Sequence, residues 1–450
     1  MSRQLFGTDG IRGHAGEYPL DRQTAYGLGA ALGHWALGKS VGPAVGPAVL
    51  LGMDTRESGL WLAEAVACGL ASAGVEAHFA GLLTTPGVAW NTKHGPYVAG
   101  VMISASHNPY QDNGLKVFDH SGFKLPDAEE LLLEGEILRL REGAEPQPHE
   151  LPVRAELAEE YLAFLRSTFP FSLAGVTIAV DCAHGAASSL APRLFRDLGA
   201  KVITTADAPN GRNINDGVGA LHPDHVRQTV LGERADIGIA FDGDADRAMF
   251  ISPTGELIDG DAVLLIAARS LKAANRLPGD CVVSTVMSNL GLEVALKREG
   301  ITLVRTGVGD KYVLEEMLRA GNELGGEQSG HVIFSRYSTT GDGMLTALRV
   351  LESMVVTNKT LDQLREGFEM FPQLLVNVRV KGKRALEEMP EVQARIADCE
   401  AAFAGNGRVL VRFSGTEPLA RVMVEGNDPA KVHHHAHQIA ASLATALGVE

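Results

Sequence analysis

Asp242, Asp244 and Asp246 occupy every second position of Asp-Gly-Asp-Ala-Asp-Arg, directly after the apolar run 237–241. Three carboxylates this close repel one another unless a cation sits among them. Oxygen donors suit a hard divalent ion such as Mg²⁺. An EF-hand loop is excluded, because it needs Gly at its sixth position and Glu at its twelfth, where this chain has Arg247 and Pro253. A solvated acidic turn is the plain alternative. Gly243 and Ala245 leave room for an ion, so a metal site is the reading this spacing favours. A second stretch carries a nucleophile. The strand-like Val101, Met102 and Ile103 run into Ser104-Ala105-Ser106-His107-Asn108-Pro109, followed by Asp112-Asn113-Gly114 and Lys116. Pro109 biases Asn108 away from helical dihedrals, and Asp-Asn-Gly reads as a second turn. A polar loop at the end of a strand is where α/β proteins present reactive groups. A serine near an imidazole and an ammonium is a candidate nucleophile. The residues alone do not choose between Ser104 and Ser106, nor do they exclude an ordinary hydrophilic turn. A divalent ion together with a serine points to phosphoryl chemistry.

Phosphoryl chemistry requires anion-binding groups elsewhere. Arg412-Phe413-Ser414-Gly415-Thr416-Glu417-Pro418 follows a strand-like run and offers hydroxyls, a glycine and an arginine, with Arg421 close behind. Such a loop can hold a phosphate, and a hairpin turn explains it equally well. Gly325-Gly326-Glu327-Gln328-Ser329-Gly330-His331 combines a flexible loop with a carboxylate, a hydroxyl and an imidazole, groups that hydrogen-bond sugar hydroxyls. A turn is again an equal account.

The elements that must position these loops follow from the pattern around them. At 450 residues the chain exceeds one ordinary core and predicts three or four domains. Strands are expected over 49–51, 77–83 and the run before Ser104, with a helix over 60–73 and a loop over 84–87. Such repeated units argue a mostly parallel sheet covered by helices. A charged helix over 128–141 leads into a polar, Pro-containing linker at 142–148. A second unit has strands over 176–180, 200–204 and 236–241. A third, over about 252–368, has strands at 281–285, 301–305 and 331–334, with helices at 291–299 and 312–320. The remainder reads as a small α+β domain: strand 374–380, helix 385–403, strands 409–413 and 421–425, helix 429–447. No strict sequence repeat is present, yet three α/β units stand in series.

With 40 Lys+Arg against 55 Asp+Glu the net charge is −15, which argues against a nucleic-acid scaffold. The four cysteines, Cys68, Cys182, Cys281 and Cys399, are far apart with no Cys-x-x-Cys, so disulfides and structural zinc are not expected. The start, MSRQLFGTDGIRG, lacks an apolar signal core. The apolar stretch 41–53 is broken by Gly42, Pro43, Gly46 and Pro47 and cannot cross a bilayer. A cytoplasmic protein with no membrane or nucleic-acid partner is expected. His433, His434, His435 and His437 read as a solvated helix face, Cys182 and His184 as packing, and Trp61 and Trp90 as core or helix-packing residues.

Five stretches, taken together, resemble the α-D-phosphohexomutase family, and the glucosamine-phosphate enzymes within it. They are Gly7-Thr8-Asp9-Gly10-Ile11-Arg12-Gly13, the Ser106-His107-Asn108-Pro109 loop with Asn113-Gly114 and Lys116, the 242–247 cluster, 326–331 and 412–418. The resemblance implies an α/β fold: three related α/β domains with mixed sheets, plus a C-terminal α+β domain, around a central cleft. The domains would span 1–150, 151–251, 252–368 and 369–450. It implies that Ser106 is the phosphoserine and holds one Mg²⁺ with Asp242, Asp244 and Asp246. Lys116 and His331 would move protons, with Arg12 and Arg247 beside them in the catalytic set. Glu327 and Ser329 would bind the sugar, and Arg412, Ser414, Gly415, Thr416 and Arg421 the non-reacting phosphate. The implied reaction interconverts glucosamine 6-phosphate and glucosamine 1-phosphate through phosphorylated Ser106 and a bisphosphorylated sugar, toward UDP-N-acetylglucosamine. A homodimer is compatible with it. One departure is 214–222, with Val218 where many relatives have cysteine, and without Ser-Thr before His222. The rivals are a phosphomannomutase or phosphoglucomutase of the same family, a sugar-phosphate-binding regulator, and a metal-dependent phosphatase with an aspartate nucleophile.

Overall fold

Apolar runs bounded by glycine- and proline-rich loops build four sheets in this computed structural model. It describes residues 4–7, 9–38, 47–144, 147, 149–382, 384–413 and 418–448. The expectations at Thr8, at 41–46, at 145, 146 and 148 of the linker, and at Ser414, Gly415 and Thr416 lie outside the described residues. The chain divides into two compact units, Met1–Val286 with Val304–Glu366, and Met287–Leu303 with Gly367–Glu450.

The first unit carries three sheets of similar plan, save that Thr302 and Leu303 of the third are counted with the second unit. The six-stranded sheet runs in the order Phe6–Gly7, Gly10–His14, Asp112–Asp119, Ala99–Ile103, Ala48–Met53, Glu76–Leu82. Its last three strands are parallel, and Asp112–Asp119 returns antiparallel. The five-stranded sheet runs Leu257–Ile258, Ala248–Ile251, Ile237–Phe241, Thr177–Asp181, Lys201–Thr205, again with three parallel strands and an antiparallel return. The four-stranded sheet runs Thr302–Thr306, Cys281–Thr285, Leu324–Gly326, Val332–Phe334. There Leu324–Gly326 lies parallel to Cys281–Thr285 and antiparallel to Val332–Phe334. In all three, the connection into the antiparallel return holds one chemical loop: 104–111, 242–247 and 327–331. The three α/β units in series are thus a topological repeat with no matching sequence repeat.

Several local readings change. The sheets are mixed rather than mostly parallel, because the polar loops are too short for a crossover helix and force a hairpin return. Residues 84–87 are not a plain loop. Thr84 caps a helix, Thr85–His94, by accepting from the Gly87 N–H at 3.1 Å, and Pro86 sits in the first turn, where its missing N–H costs nothing. Asp112-Asn113-Gly114 is not a second turn but the start of the return strand. In the C-terminal domain the helix starts at Pro390, after a short 3-10 turn at Leu386–Glu388, and not at Ala385. Proline restricts Met389 before it and opens the helix well itself.

The first core also depends on a helix the sequence pattern did not disclose, Arg22–Leu37. It is rich in Gly and Ala and has little helical periodicity to read. It packs backbone to backbone on the helix Gly59–Ser72. A Cβ on Gly29 would lie 2.0 Å from the Val66 carbonyl oxygen, and one on Gly69 would lie 2.1 Å from that of Tyr26. Val49, Leu51, Val101, Ile103 and Leu115 fill the space beneath. Trp90 stacks on Phe164 of the helix Glu156–Ser167, with ring centroids 5.0 Å apart, joining the first α/β segment to the second.

The second unit holds the helix Leu290–Arg298 and a three-stranded antiparallel sheet, Gln373–Arg379, Leu419–Gly426, Gly407–Phe413, covered by the helices Pro390–Phe403 and Pro429–Leu447. Val422, Val424, Phe403, Ile439 and Leu443 form its core. His433, His434 and His437 are exposed on the last helix, as expected of a solvated face, whereas His435 is half-buried with its ring 6.0 Å from that of Phe403. Among the described residues no helix is long and apolar enough to cross a membrane.

Asp342 gives this fold a test. It is buried at the start of the helix Gly343–Thr357, accepts from the Leu345 N–H at 2.9 Å, and accepts from the Tyr161 hydroxyl at 2.8 Å. Burial pushes its pKa up to about 6 against those hydrogen bonds. The folded state therefore favours the neutral acid. Its contribution is complete below about pH 4 and is lost as pH rises toward 6, by on the order of 3 kcal/mol. Asp342→Asn keeps the cap and should unfold at nearly the wild-type temperature at pH 4 but above it at pH 7. A difference that stays flat with pH would show that Asp342 titrates as an ordinary carboxyl.

Candidate active site

The Ser106 loop is held chiefly by one side chain. Arg56 follows the strand Ala48–Met53, and its guanidinium is fully buried. Its Nε donates to Asp54 Oδ2 at 2.9 Å. Nη1 donates to the carbonyls of Asp112, at 2.9 Å, and Pro109. Nη2 donates to those of Ser106, at 2.9 Å, and Asn108, at 2.8 Å. All five N–H groups of the fork are used. From the second α/β segment, Asn215 Nδ2 adds bonds to the carbonyls of Ser106 and Asn108 at 2.9 and 3.1 Å. Asn215 belongs to the 214–222 departure, so that segment bears directly on the loop, and Val218 in it is buried.

This scaffold separates the two serines. The Ser104 hydroxyl donates to Asp54 Oδ2 at 2.6 Å and accepts from the Ser106 N–H at 2.9 Å, so it is occupied in holding the turn. Ser106 adopts φ 54°, a left-handed conformation unusual for a residue with a side chain. Its Oγ donates to Asp242 Oδ2 at 2.6 Å and borders a cavity of about 420 Å³. Gly243 permits the approach, since a Cβ there would lie 2.5 Å from the Ser106 carbonyl oxygen.

Asp242, Asp244 and Asp246 are buried, with one carboxylate oxygen from each within 4.8 Å of the others. Asp244 Oδ1 and Asp246 Oδ1 are buried without a hydrogen-bond partner among the described residues. Burial and the two neighbouring carboxylates push Asp242 well above the usual carboxylate range. Buried, crowded, partly unsatisfied oxygens are what a hard divalent cation would satisfy, so this donor set fits Mg²⁺. Lys116, on the return strand, is 1% exposed. Its Nζ lies 2.8 Å from Asp244, 3.2 Å from Asp9 and 3.6 Å from Asp246. Burial opposes its charge, but these carboxylates outweigh burial and raise its pKa. Thr85 Oγ1, at the head of a helix read from sequence as a loop, also donates to Asp244.

The cavity is lined by Arg12, Ser106, His107, Asp246, Arg247, Glu327 and His331, together with Asp9 and Asp310. Arg12 pairs with Asp9, and Arg247 lies 3.8 Å from Asp246. Burial, then Arg247 and Arg12, bring His107 down to about 4, so it stays neutral at physiological pH. His331 Nε2 accepts from the Gly341 N–H at 3.0 Å, and Nδ1 is 3.6 Å from Asp246 Oδ1. Burial alone would lower its pKa, but Asp246, Asp310 and Glu327 raise it. The Gly341 contact fits the neutral ring and the carboxylates favour the charged one, a balance suited to a group that both takes and gives a proton. Ser329 is set back, donating to Glu327 Oε2 at 3.3 Å. The structure thus brings Arg12, Ser106, Lys116, the three aspartates, Arg247, Glu327 and His331 together. Arg412 and Arg421 belong to the second unit, where they face each other directly across two strands. Like charges so placed repel unless an anion joins them.

Family models described as phosphoglucomutase/phosphomannomutase match the chain four times: alpha/beta/alpha domain I over residues 3–143, domain II over 159–255, domain III over 259–371, and the C-terminal domain over 375–442. The chain belongs to the phosphoglucomutase/phosphomannomutase family. Relatives in this α-D-phosphohexomutase family include the phosphoglucosamine mutase of Solibacter usitatus, 58% identical over the full length of both chains. That of Koribacter versatilis is 48% identical, over 99% of this chain and 98% of its own. Among solved structures, a phosphoglucomutase/phosphomannomutase family protein from Burkholderia thailandensis superposes with a TM-score of 0.80 at 24% identity, covering 98% of each chain. The Aspergillus fumigatus N-acetylphosphoglucosamine mutase, solved with GlcNAc-6P and magnesium, gives 0.64 at 18% identity over 94% of this chain and 97% of its own. These two likenesses establish the phosphohexomutase fold.

Sequence reasoning missed Arg56, Asn215, Asp9, Lys124 and Asp310. The signal for Arg56 was an arginine in a polar loop beside a strand end, too common to single out. Arg56→Lys retains a charge against Asp54 but has at most three N–H groups for five acceptors. Turnover of a hexose phosphate should fall on the order of 10- to 100-fold, with the unfolding temperature lowered by only a few degrees. Wild-type turnover in this variant would mean the Ser106 loop holds its own shape.

Proposed function

We propose that the chain is a phosphoglucosamine mutase, interconverting glucosamine 6-phosphate and glucosamine 1-phosphate. The observation that carries the reading is Ser106 Oγ at 2.6 Å from Asp242, at the edge of three buried aspartates with unsatisfied oxygens. Support for the amino sugar comes from the names of full-length relatives at 58% and 48% identity. The four domains, 1–150, 151–251, 252–368 and 369–450, would contribute the phosphoserine, metal, sugar and phosphate loops in that order. The four cysteines are free, in keeping with a reducing, cytoplasmic setting.

The working enzyme carries a phosphoryl group on Ser106. The O1 hydroxyl of glucosamine 6-phosphate attacks phosphorus, the bond from phosphorus to Ser106 Oγ breaks, and glucosamine 1,6-bisphosphate forms. After the intermediate turns over, Ser106 Oγ attacks the 6-phosphoryl group, releasing glucosamine 1-phosphate and restoring phosphoserine. In each transfer the attacking hydroxyl loses a proton and the departing oxygen regains one, work assigned to Lys116 and His331. Arg12 and Arg247 line the cavity as cations for phosphate oxygens. Glu327, with Ser329 behind it, offers a carboxylate to sugar hydroxyls. Arg412 and Arg421, with the 414–416 loop, would hold the phosphate that is not reacting. Mg²⁺ held by Ser106, Asp242, Asp244 and Asp246 would neutralise charge developing on the transferring phosphoryl group. A phosphomannomutase or phosphoglucomutase is the second reading, favoured by the family description itself.

A coupled assay of glucosamine 6-phosphate conversion, with Mg²⁺ and a trace of sugar bisphosphate, tests both. Wild-type protein should turn over, Ser106→Ala should lose at least about a thousandfold, and a chelator should abolish activity until Mg²⁺ is returned. Turnover surviving in Ser106→Ala would remove Ser106 as nucleophile. Preference for mannose or glucose phosphates would keep the family and replace the substrate.

A further inference from the structure

Asp9, Lys124 and Asp310 have no part in the chemistry assigned above, yet they form a continuous charged link at the rim of the cavity. Lys124 Nζ lies 2.5 Å from Asp9 Oδ1 and 2.7 Å from Asp310 Oδ2. The side chains of Asp9, Lys124 and Asp310 are 22, 18 and 20% exposed, so most of each lies away from water. At the Asp9 end the other carboxylate oxygen is 3.2 Å from Lys116 Nζ and also accepts from Arg12. At the Asp310 end, Oδ2 is 3.6 Å from His331 Nε2. Asp246 closes the circuit, 3.6 Å from both Lys116 Nζ and His331 Nδ1. With His331 protonated, charge alternates around this ring of six side chains.

We propose that Lys124, through Asp9 and Asp310, is a positioning residue that holds Lys116 and His331 in register for proton transfer. The inference rests on the mutase reading and on the roles given there to those two residues. Asp9 lies beside the strand Gly10–His14, Lys124 follows the return strand Asp112–Asp119, and Asp310 opens the helix Asp310–Ala320. The link therefore joins the segment that carries Lys116 to the one that carries His331. With the cation removed, two largely buried carboxylates would face each other and separate. Each would take its neighbour with it. Both acids are held below the usual carboxylate range against burial, Asp9 by Lys116, Lys124 and Arg12, and Asp310 by Lys124 and His331. The acids are therefore ionised partners of Lys124 at working pH.

The test uses full-length protein and first finds which of glucosamine, glucose or mannose phosphate the wild type turns over best. On that sugar, Lys124→Met and Asp310→Asn should each lower kcat about 10- to 100-fold while KM changes by about twofold or less. Lys124→Arg, which can still bridge both acids, should recover most of kcat. The double variant should be no worse than Lys124→Met, since both changes cut one link. Should Lys124→Met fail to fold, Asp310→Asn, which leaves Lys124 paired with Asp9, carries the measurement. Unchanged kcat in a folded variant overturns the inference. A rise in KM with kcat retained also overturns it, by making these residues direct sugar contacts. Failure of the substrate reading is distinct, because it shows in the wild type as preference for another hexose phosphate.

Discussion

Three carboxylates buried within 4.8 Å of one another set the terms for the rest of the first unit. Bringing them out of water together is unfavourable unless positive charge comes with them. The protein supplies part of that charge from outside the cluster. Lys116 approaches from the first sheet, Arg247 follows the cluster in sequence, and His331 comes from the third sheet. Two aspartate oxygens still have no hydrogen-bond partner among the described residues. Those two buried oxygens are what a hard divalent cation could satisfy, beside the hydroxyl of Ser106.

Delivering a serine to that cluster is a backbone problem. A left-handed Ser106 is not a conformation a pentapeptide would hold. Arg56 makes it stable by satisfying four loop carbonyls at once, and Asp54 anchors Arg56 in turn. A parallel pair followed by an antiparallel return occurs in each of the three α/β sheets, so the loops with Ser106, the three aspartates and Glu327 occupy equivalent positions. Three copies of one architecture bring a hydroxyl, a carboxylate cluster and a polar loop with an imidazole to one cavity. Specialisation lies in a handful of residues at the hairpin connections.

Much of the site was legible because catalytic loops are short and chemically dense. The carboxylate spacing at 242–246 argued for a metal on its own, and the strand before it was plain. The choice of Ser106 over Ser104 was not legible from residues, since both hydroxyls look alike in sequence. Family likeness pointed to Ser106, and in the structure the Ser104 hydroxyl is bound between Asp54 and the Ser106 amide. The helix Arg22–Leu37 escaped notice for a related reason. Its glycines and alanines, which blur a helical pattern, are there to let another helix approach.

By itself, the order of residues determined the number of α/β units, the carboxylate cluster, the small C-terminal domain and the family. The first three depend on composition and spacing within short stretches, and the family on the resemblance of five motifs spread from residue 7 to residue 418, all of which a chain carries whether or not it is folded. Only the tertiary structure decided that Arg56 organises the nucleophile loop, that Thr85 and Lys116 share Asp244, and that Lys124 joins Asp9 to Asp310. Each of these links residues fifty or more positions apart. Electrostatic and hydrogen-bond energies depend on distance in space, and distance in space is set by the packing of sheets.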